Sequence, residues 1–67
     1  MKYNKLRGRI IEKFGTIEKF ADALGITRIT VSNKLNDKSN FSRDDIILWA
    51  SALEVSQDNI GSYFFEN

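Results

Sequence analysis

The side chains of this 67-residue chain favour hydrogen-bonding recognition over covalent chemistry. Cysteine and histidine are both absent, which removes the thiol nucleophile, the commonest general base and any Cys/His zinc site. The neighbouring carboxylates Asp44 and Asp45 look like a catalytic pair, but they stand at the start of a predicted helix, where the helix dipole stabilises anions. We therefore expect no enzyme activity, no metal or other cofactor and no small-molecule substrate.

The polar side chains with the most specific chemistry lie on one predicted helix. Arg28 can donate two hydrogen bonds to guanine O6 and N7, Asn33 can read adenine N6 and N7, and Ile29 can meet a thymine methyl group. Val31 and Leu35 face inward, so the outward face consists of Arg28, Ile29, Ser32 and Asn33. The alternatives are an ordinary solvated face for the polar residues and a core or dimer contact for Ile29.

The spacing around these residues predicts how they are positioned. Residues 20–35 read as two short helices joined by a tight turn at Gly25, which permits a positive φ. Ala21 is small where the second helix crosses closely, while Val31 and Leu35 lock that helix onto the first. This is the spacing of a helix-turn-helix.

The remainder of the chain also predicts helices, without a strand, repeat or linker. Five segments are readable, over about residues 2–14, 17–24, 28–35, 43–53 and 57–63. Side-chain hydroxyls can cap the last four, at Thr16, Thr27, Ser42 and Ser56. Asp45 completes a capping box with Ser42, and Trp49 is expected in the core. Leu6 and Ile10 form an inward stripe on the first helix, which Ile11 is expected to widen.

Residues 20–35 resemble the helix-turn-helix of the phage repressor and Cro-like (lambda repressor-like) family. The resemblance extends to a first helix rich in Arg and Lys, to Trp-Ala-Ser-Ala-Leu-Glu-Val-Ser at 49–56 and to an Asp-x-Ile final helix, so it covers nearly the whole chain. It implies an all-α, five-helix lambda repressor-like domain over 1–67, with the motif at about 17–35. Because 67 residues leave no room for a second, oligomerising domain, we expect a chain more like Cro, or like an isolated DNA-binding domain. Its Ile-Gly-Ser-Tyr-Phe-Phe end resembles small phage-encoded regulators of Gram-positive hosts.

This resemblance implies a transcriptional repressor that binds double-stranded operator DNA with its third helix in the major groove. Transferred position by position, the base-reading residues are Thr27, Arg28, Ile29, Ser32 and Asn33. The predicted phosphate contacts are Thr16, Ile17, Lys19, Lys34, Lys38, Asn40 and Arg43. For each lysine, a solubilising surface charge is the alternative.

The charge distribution agrees with a polyanionic partner. The formal net charge is only +1, yet residues 1–43 hold all ten basic residues and four of the nine acids, and residues 44–67 hold the other five acids. Such asymmetry between the two halves of a chain suggests segregated faces, although folding can also mix the halves.

A second function stays open from the sequence. The acidic second half and the aromatic end favour a protein-interaction module, of an anti-repressor or antitoxin-like kind. Tyr63, Phe64 and Phe65 cannot all face inward on a short helix, so they can form a homodimer contact or simply pack the chain end. No apolar run is long enough to span a membrane, and we expect a cytoplasmic, nucleoid-associated protein in a bacterial host.

Overall fold

Helices form at the predicted apolar stripes in the computed structural model, which describes residues 3–65. They are α1 (Asn4–Phe14), α2 (Ile17–Leu24), α3 (Arg28–Leu35), α4 (Arg43–Leu53), a 3₁₀ turn (Gln57–Asn59) and α5 (Ile60–Phe64). Residues 3–65 contain no strand, so the prediction of an all-α chain with five helices is confirmed. The predicted start of the first helix at Lys2 lies outside the described residues.

Hydroxyl caps begin the three central helices, as predicted. The Thr16 and Thr27 hydroxyls accept the N–H groups of Lys19 and Thr30, at 3.1 and 3.2 Å. At α4 the Ser42 hydroxyl accepts from the Asp45 N–H at 3.1 Å, and an Asp45 carboxylate oxygen accepts from the Ser42 N–H at 3.0 Å. These contacts satisfy backbone donors that the helices themselves leave without a partner.

Two local predictions are wrong. The Ser56 hydroxyl caps no backbone N–H and accepts instead from the Asn59 side-chain amide at 3.1 Å. The segment after Ser56 begins as a 3₁₀ turn and not as an α-helix. Ile11 does not widen the buried stripe of α1, because it lies about 100° around the helix from Ile10 and is 46% exposed.

The core is built around one indole ring. Trp49 is fully buried, and its ring meets the Phe20 and Phe41 rings edge-on, with centroids 4.9 Å away in both cases. Phe41 also meets the ring of Phe64, at 5.3 Å. Since Phe20 belongs to α2, Phe41 precedes α4 and Phe64 belongs to α5, this aromatic cluster joins three parts of the chain.

The α2–α3 pair is held by the residues that the sequence predicts for it. Gly25 ends α2 in the left-handed region, with a φ of 73°, where a side chain would be strained. Ala21 is 1% exposed, and Val31 and Leu35 are completely buried. The inner face of α3 is therefore fixed on α2 and the core, which leaves its other face toward solvent.

Candidate nucleic-acid interface

The outer side of α2 and α3 carries two adjoining grooves. One is lined by residues of the α2 start and the α3 start: Thr16, Ile17, Glu18, Lys19 and Arg28. The other follows α3 and its end: Glu18, Arg28, Ile29, Ser32, Asn33, Asn36 and Lys38. We call the ten residues of these linings the α2–α3 surface. Ile29 is 72% exposed within it. This exposure is high for a large apolar side chain, because the other apolar residues of α3, Val31 and Leu35, are completely buried.

The start of α2 presents backbone donors to the first groove. The Thr16 hydroxyl is occupied by the Lys19 N–H, so the cap itself is a structural contact. The N–H groups of Ile17 and Glu18 belong to the first turn, where a helix has no intrahelical acceptor for them. Backbone donors in this arrangement, next to the Lys19 ammonium, are suited to an anionic oxygen.

Positive charge on the rest of the described chain is partly compensated. Arg9 pairs with Glu12 at 2.8 Å, Lys34 pairs with Asp45 at 2.8 Å, and Lys13 pairs with Glu54. By contrast, within residues 3–65 no hydrogen bond or ion pair engages the side-chain cations of Lys19, Arg28, Lys38 and Arg43. Three of these four belong to the α2–α3 surface. That surface therefore holds three of the six cations in residues 3–65 that have no acidic partner, the other three being Lys5, Arg7 and Arg43.

Lys34 differs from the other predicted phosphate contacts because it has partners within the protein. Its ammonium pairs with Asp45, donates to the Asn40 carbonyl at 2.9 Å and lies 5.8 Å from the centre of the Phe41 ring. The side chain is only 13% exposed. Its contact with phosphate stays an untested prediction, but this geometry makes Lys34 a link between the end of α3 and the start of α4.

The contact with Lys34 also changes the ionisation of Asp45. The Lys34 ammonium, with the Ser42 N–H, holds the pKa of the Asp45 carboxyl below its ordinary value. A lowered folded-state pKa stabilises the protein at pH values above the unfolded pKa, which is about 4, and that contribution is lost as the pH falls through the folded-state value.

Asp45→Asn is therefore expected to lower the free energy of unfolding at pH 7 by about 1 kcal/mol, since it removes a partly buried ion pair. Below about pH 4 the difference from the unmodified protein should shrink. Urea unfolding between pH 3 and pH 7 measures both. Asp44→Asn is the matched control, because Asp44 is the exposed neighbour in the same helix turn, and it should cost only a few tenths of a kcal/mol. A constant difference at every pH would contradict the ion-pair explanation.

The structure brings together most of the predicted contact residues, with four exceptions. The α2–α3 surface contains Thr16, Ile17 and Lys19 with Arg28, Ile29, Ser32, Asn33 and Lys38. Outside it lie Thr27, whose hydroxyl caps α3, and Lys34, Asn40 and Arg43. Arg43 and Asn40 are exposed beyond the end of α3.

Two residues of the α2–α3 surface were missed from the sequence. Asn36 follows Ser32 and Asn33 by one turn, so helical spacing alone could have placed it on the same face. Glu18 was not among the predicted contact residues. Its position beside Arg28 depends on how α3 packs on α2, which residue spacing does not determine.

The three aromatic residues at the chain end have different environments. Phe64 is 3% exposed and packs on Phe41, so it fills the core and has no surface to offer a second copy. Tyr63 is half-buried, with the Lys5 ammonium 4.8 Å from its ring centre. Phe65 is 69% exposed. Of the two interpretations from the sequence, packing of the chain end therefore describes Phe64. Only Tyr63 and Phe65 retain exposed surface that could contact a second copy.

The described residues contain no group of three or more His, Cys, Asp or Glu side chains that could hold a metal ion. Within the same range, no helix has both the length and the apolar character to cross a membrane.

The fold and this surface define a small all-helical domain with an exposed, cationic two-helix face. The chain belongs to the family described as "Protein of unknown function (DUF739)", whose model matches residues 1–67. It is similar to the modulator of repression (MOR) of the temperate bacteriophage TP901-1 from Lactococcus lactis, a protein of known solution structure. The identity is 43%, the TM-score is 0.86, and the match covers 97% of this chain and 88% of that one. No curated protein matches the chain.

These findings correct the expected family. The chain is not a member of the phage repressor and Cro-like family, because the matching model is DUF739 and the matching structure is a phage modulator of repression. The resemblance rested on Ala21, Gly25, Val31 and Leu35, which record how two helices pack across a tight turn. Packing of that kind specifies a local geometry, and proteins of different families can share it.

Proposed function

We propose that this chain is a phage regulatory protein that binds duplex DNA through the α2–α3 surface, with α3 in the major groove. The observation that carries the proposal is the coincidence of Lys19, Arg28 and Lys38, all without an acidic partner in residues 3–65, with the exposed outer face of α3. Phosphate neutralisation supplies most of the affinity of such surfaces for DNA, and base-edge contacts supply the specificity.

Each side chain then has a role that follows from its chemistry. Arg28 donates to guanine, Asn33 reads adenine, and Ile29 contacts a thymine methyl group. The start of α2, with Lys19 and its backbone donors, binds one phosphate, and Lys38 binds another beyond the end of α3. In this proposal the protein occupies its operator in the cytoplasm of a bacterial host. A homodimer through Tyr63 and Phe65 would read two half-sites about one helical turn apart.

The experiment is a titration of random-sequence duplex DNA with the protein over a series of salt concentrations. Neutralisation of about three phosphates by Lys19, Lys38 and Arg43 predicts a slope near −3 in a plot of log affinity against log salt. Selection of bound sites from a random pool then reports the sequence that is read, and whether it is palindromic. Absence of binding at low salt, or binding with no dependence on salt, would contradict the proposal.

A protein-interaction function is the second candidate, and one specific observation favours it. The similar phage protein is named a modulator of repression, a name that fits action on a repressor as well as action on DNA. On this chain, α4 exposes Ile47 and Leu48, at 55% and 47%, one turn from Asp44. An exposed apolar patch of this kind is suited to a protein partner. Charge reversal at Arg28, argued below, separates the two candidates.

A further inference from the structure

Glu18 places a negative charge in the middle of the α2–α3 surface. Its side chain is exposed in the first turn of α2, and it lines both grooves, in each case together with Arg28. It is the single acidic residue among the ten that line them. Within residues 3–65, no cation compensates its carboxylate by a hydrogen bond or an ion pair.

The helix dipole explains why an acid is favourable in the first turn of α2, but it does not explain why that acid lies on the side that faces the two grooves. Glu12, Asp45 and Glu54 each pair with a cation, whereas Asp22, Asp44 and Asp58, like Glu18, have no ion pair within residues 3–65. The position of Glu18 in the grooves is what distinguishes it. It stands beside the Ile17 and Glu18 N–H groups and the Lys19 ammonium, which are the donors best placed for a phosphate. A phosphate oxygen that approaches these donors must also approach the Glu18 carboxylate, and two anions at that separation repel each other.

We propose that Glu18 limits the affinity of the α2–α3 surface for the DNA backbone. This inference rests on the proposed DNA-binding function and adds a residue that opposes it. The carboxylate offsets part of the attraction from Lys19 and Arg28, so the complex forms more weakly and dissociates more readily than the cations alone would allow. Neutralisation of this one side chain, with its size retained, should strengthen binding to any duplex.

The test compares Glu18→Gln with the unmodified protein by fluorescence anisotropy, with a labelled random-sequence duplex at low salt. Removal of one repulsive charge near a phosphate should tighten binding about fivefold. The advantage should shrink as salt screens the interaction. Asp22→Asn is the matched control, because Asp22 lies one turn further along α2, is exposed and makes the same change in net charge outside the two grooves. It should change affinity less than twofold.

Each outcome has one meaning. Tighter binding by Glu18→Gln alone supports the inference. Equal affinity, or an equal gain from Asp22→Asn, overturns it, because net charge would then explain the effect. Weaker binding by Glu18→Gln also overturns it, because the carboxylate would then favour the complex. If neither protein binds DNA at low salt, the proposed function itself fails. Circular dichroism of all three proteins establishes that they are folded at the assay temperature.

Discussion

Arg28→Glu is expected to weaken binding of duplex DNA about 100-fold. The change removes a donor that can make two hydrogen bonds to guanine, which is worth about 1–3 kcal/mol. It also adds a second repulsive carboxylate next to Glu18, worth about 1 kcal/mol near a phosphate. Because Arg28 is exposed and has no intramolecular partner among residues 3–65, the fold should be unaffected. Anisotropy titrations at one fixed salt concentration measure the loss.

Lys5→Glu is the matched control for this experiment. It makes the same change in net charge on another surface, where the Lys5 ammonium donates to the Ser62 hydroxyl and lies near the Tyr63 ring. We expect less than a threefold loss of DNA affinity, because long-range charge effects are screened. Equal losses for both variants would mean that total charge governs binding. Unchanged DNA affinity for Arg28→Glu would exclude Arg28 and, with it, the proposed reading face.

The same variant distinguishes the two candidate functions. If the chain acts through DNA, Arg28→Glu loses both DNA binding and regulation of a reporter promoter. If it acts by binding a protein through the exposed face of α4, regulation should persist, because Ile47 and Leu48 belong to a different element from Arg28. Retained regulation with lost DNA binding would therefore favour the protein-interaction function.

Features that depend on neighbours in sequence were predictable. Thr16, Thr27 and Ser42 each cap a backbone N–H three residues later, and Asp45 returns the contact to Ser42. Such contacts close within one turn of helix, so residue type and spacing predicted three of the four hydroxyl caps, and failed at Ser56, where a 3₁₀ turn follows. Gly25 belongs to the same class, because its positive φ is a local requirement of the turn.

Features that depend on tertiary contacts were not predictable from the sequence. Lys34 was predicted to contact a DNA phosphate, which stays a prediction, but its pairing with Asp45, eleven positions later and on another helix, was not foreseen. The sequence contains both residues but not the angle between α3 and α4 that brings them to 2.8 Å. The place of Glu18 in the grooves was not predicted for the same reason, since Arg28, which lines them with it, comes from the next helix. In this chain, sequence patterns are therefore least informative about which charged side chains lie close to one another at the α2–α3 surface.

Trp49→Ala is expected to have the largest effect on the fold. Removal of a buried Trp or Phe side chain costs about 3–5 kcal/mol, because apolar contacts are lost and a cavity remains. A domain of this length has a total stability of about 3–10 kcal/mol. Trp49 contacts both Phe20 of α2 and Phe41 before α4, so no single neighbour can move to fill the space. The melting temperature should fall by at least about 15 °C, and much of the protein should be unfolded at 37 °C.

Thermal unfolding followed by circular dichroism at 222 nm tests this, since the tryptophan fluorescence is lost with the residue. Ile47→Ala is the control: it truncates an apolar side chain two positions away on α4, but one that is 55% exposed, so it should cost less than about 0.5 kcal/mol. Trp49→Ala should also lose DNA binding in proportion to its unfolded fraction, because Phe20 on α2 supports the helix pair that positions Arg28. A near-normal melting temperature for Trp49→Ala would contradict the arrangement of the core around this ring.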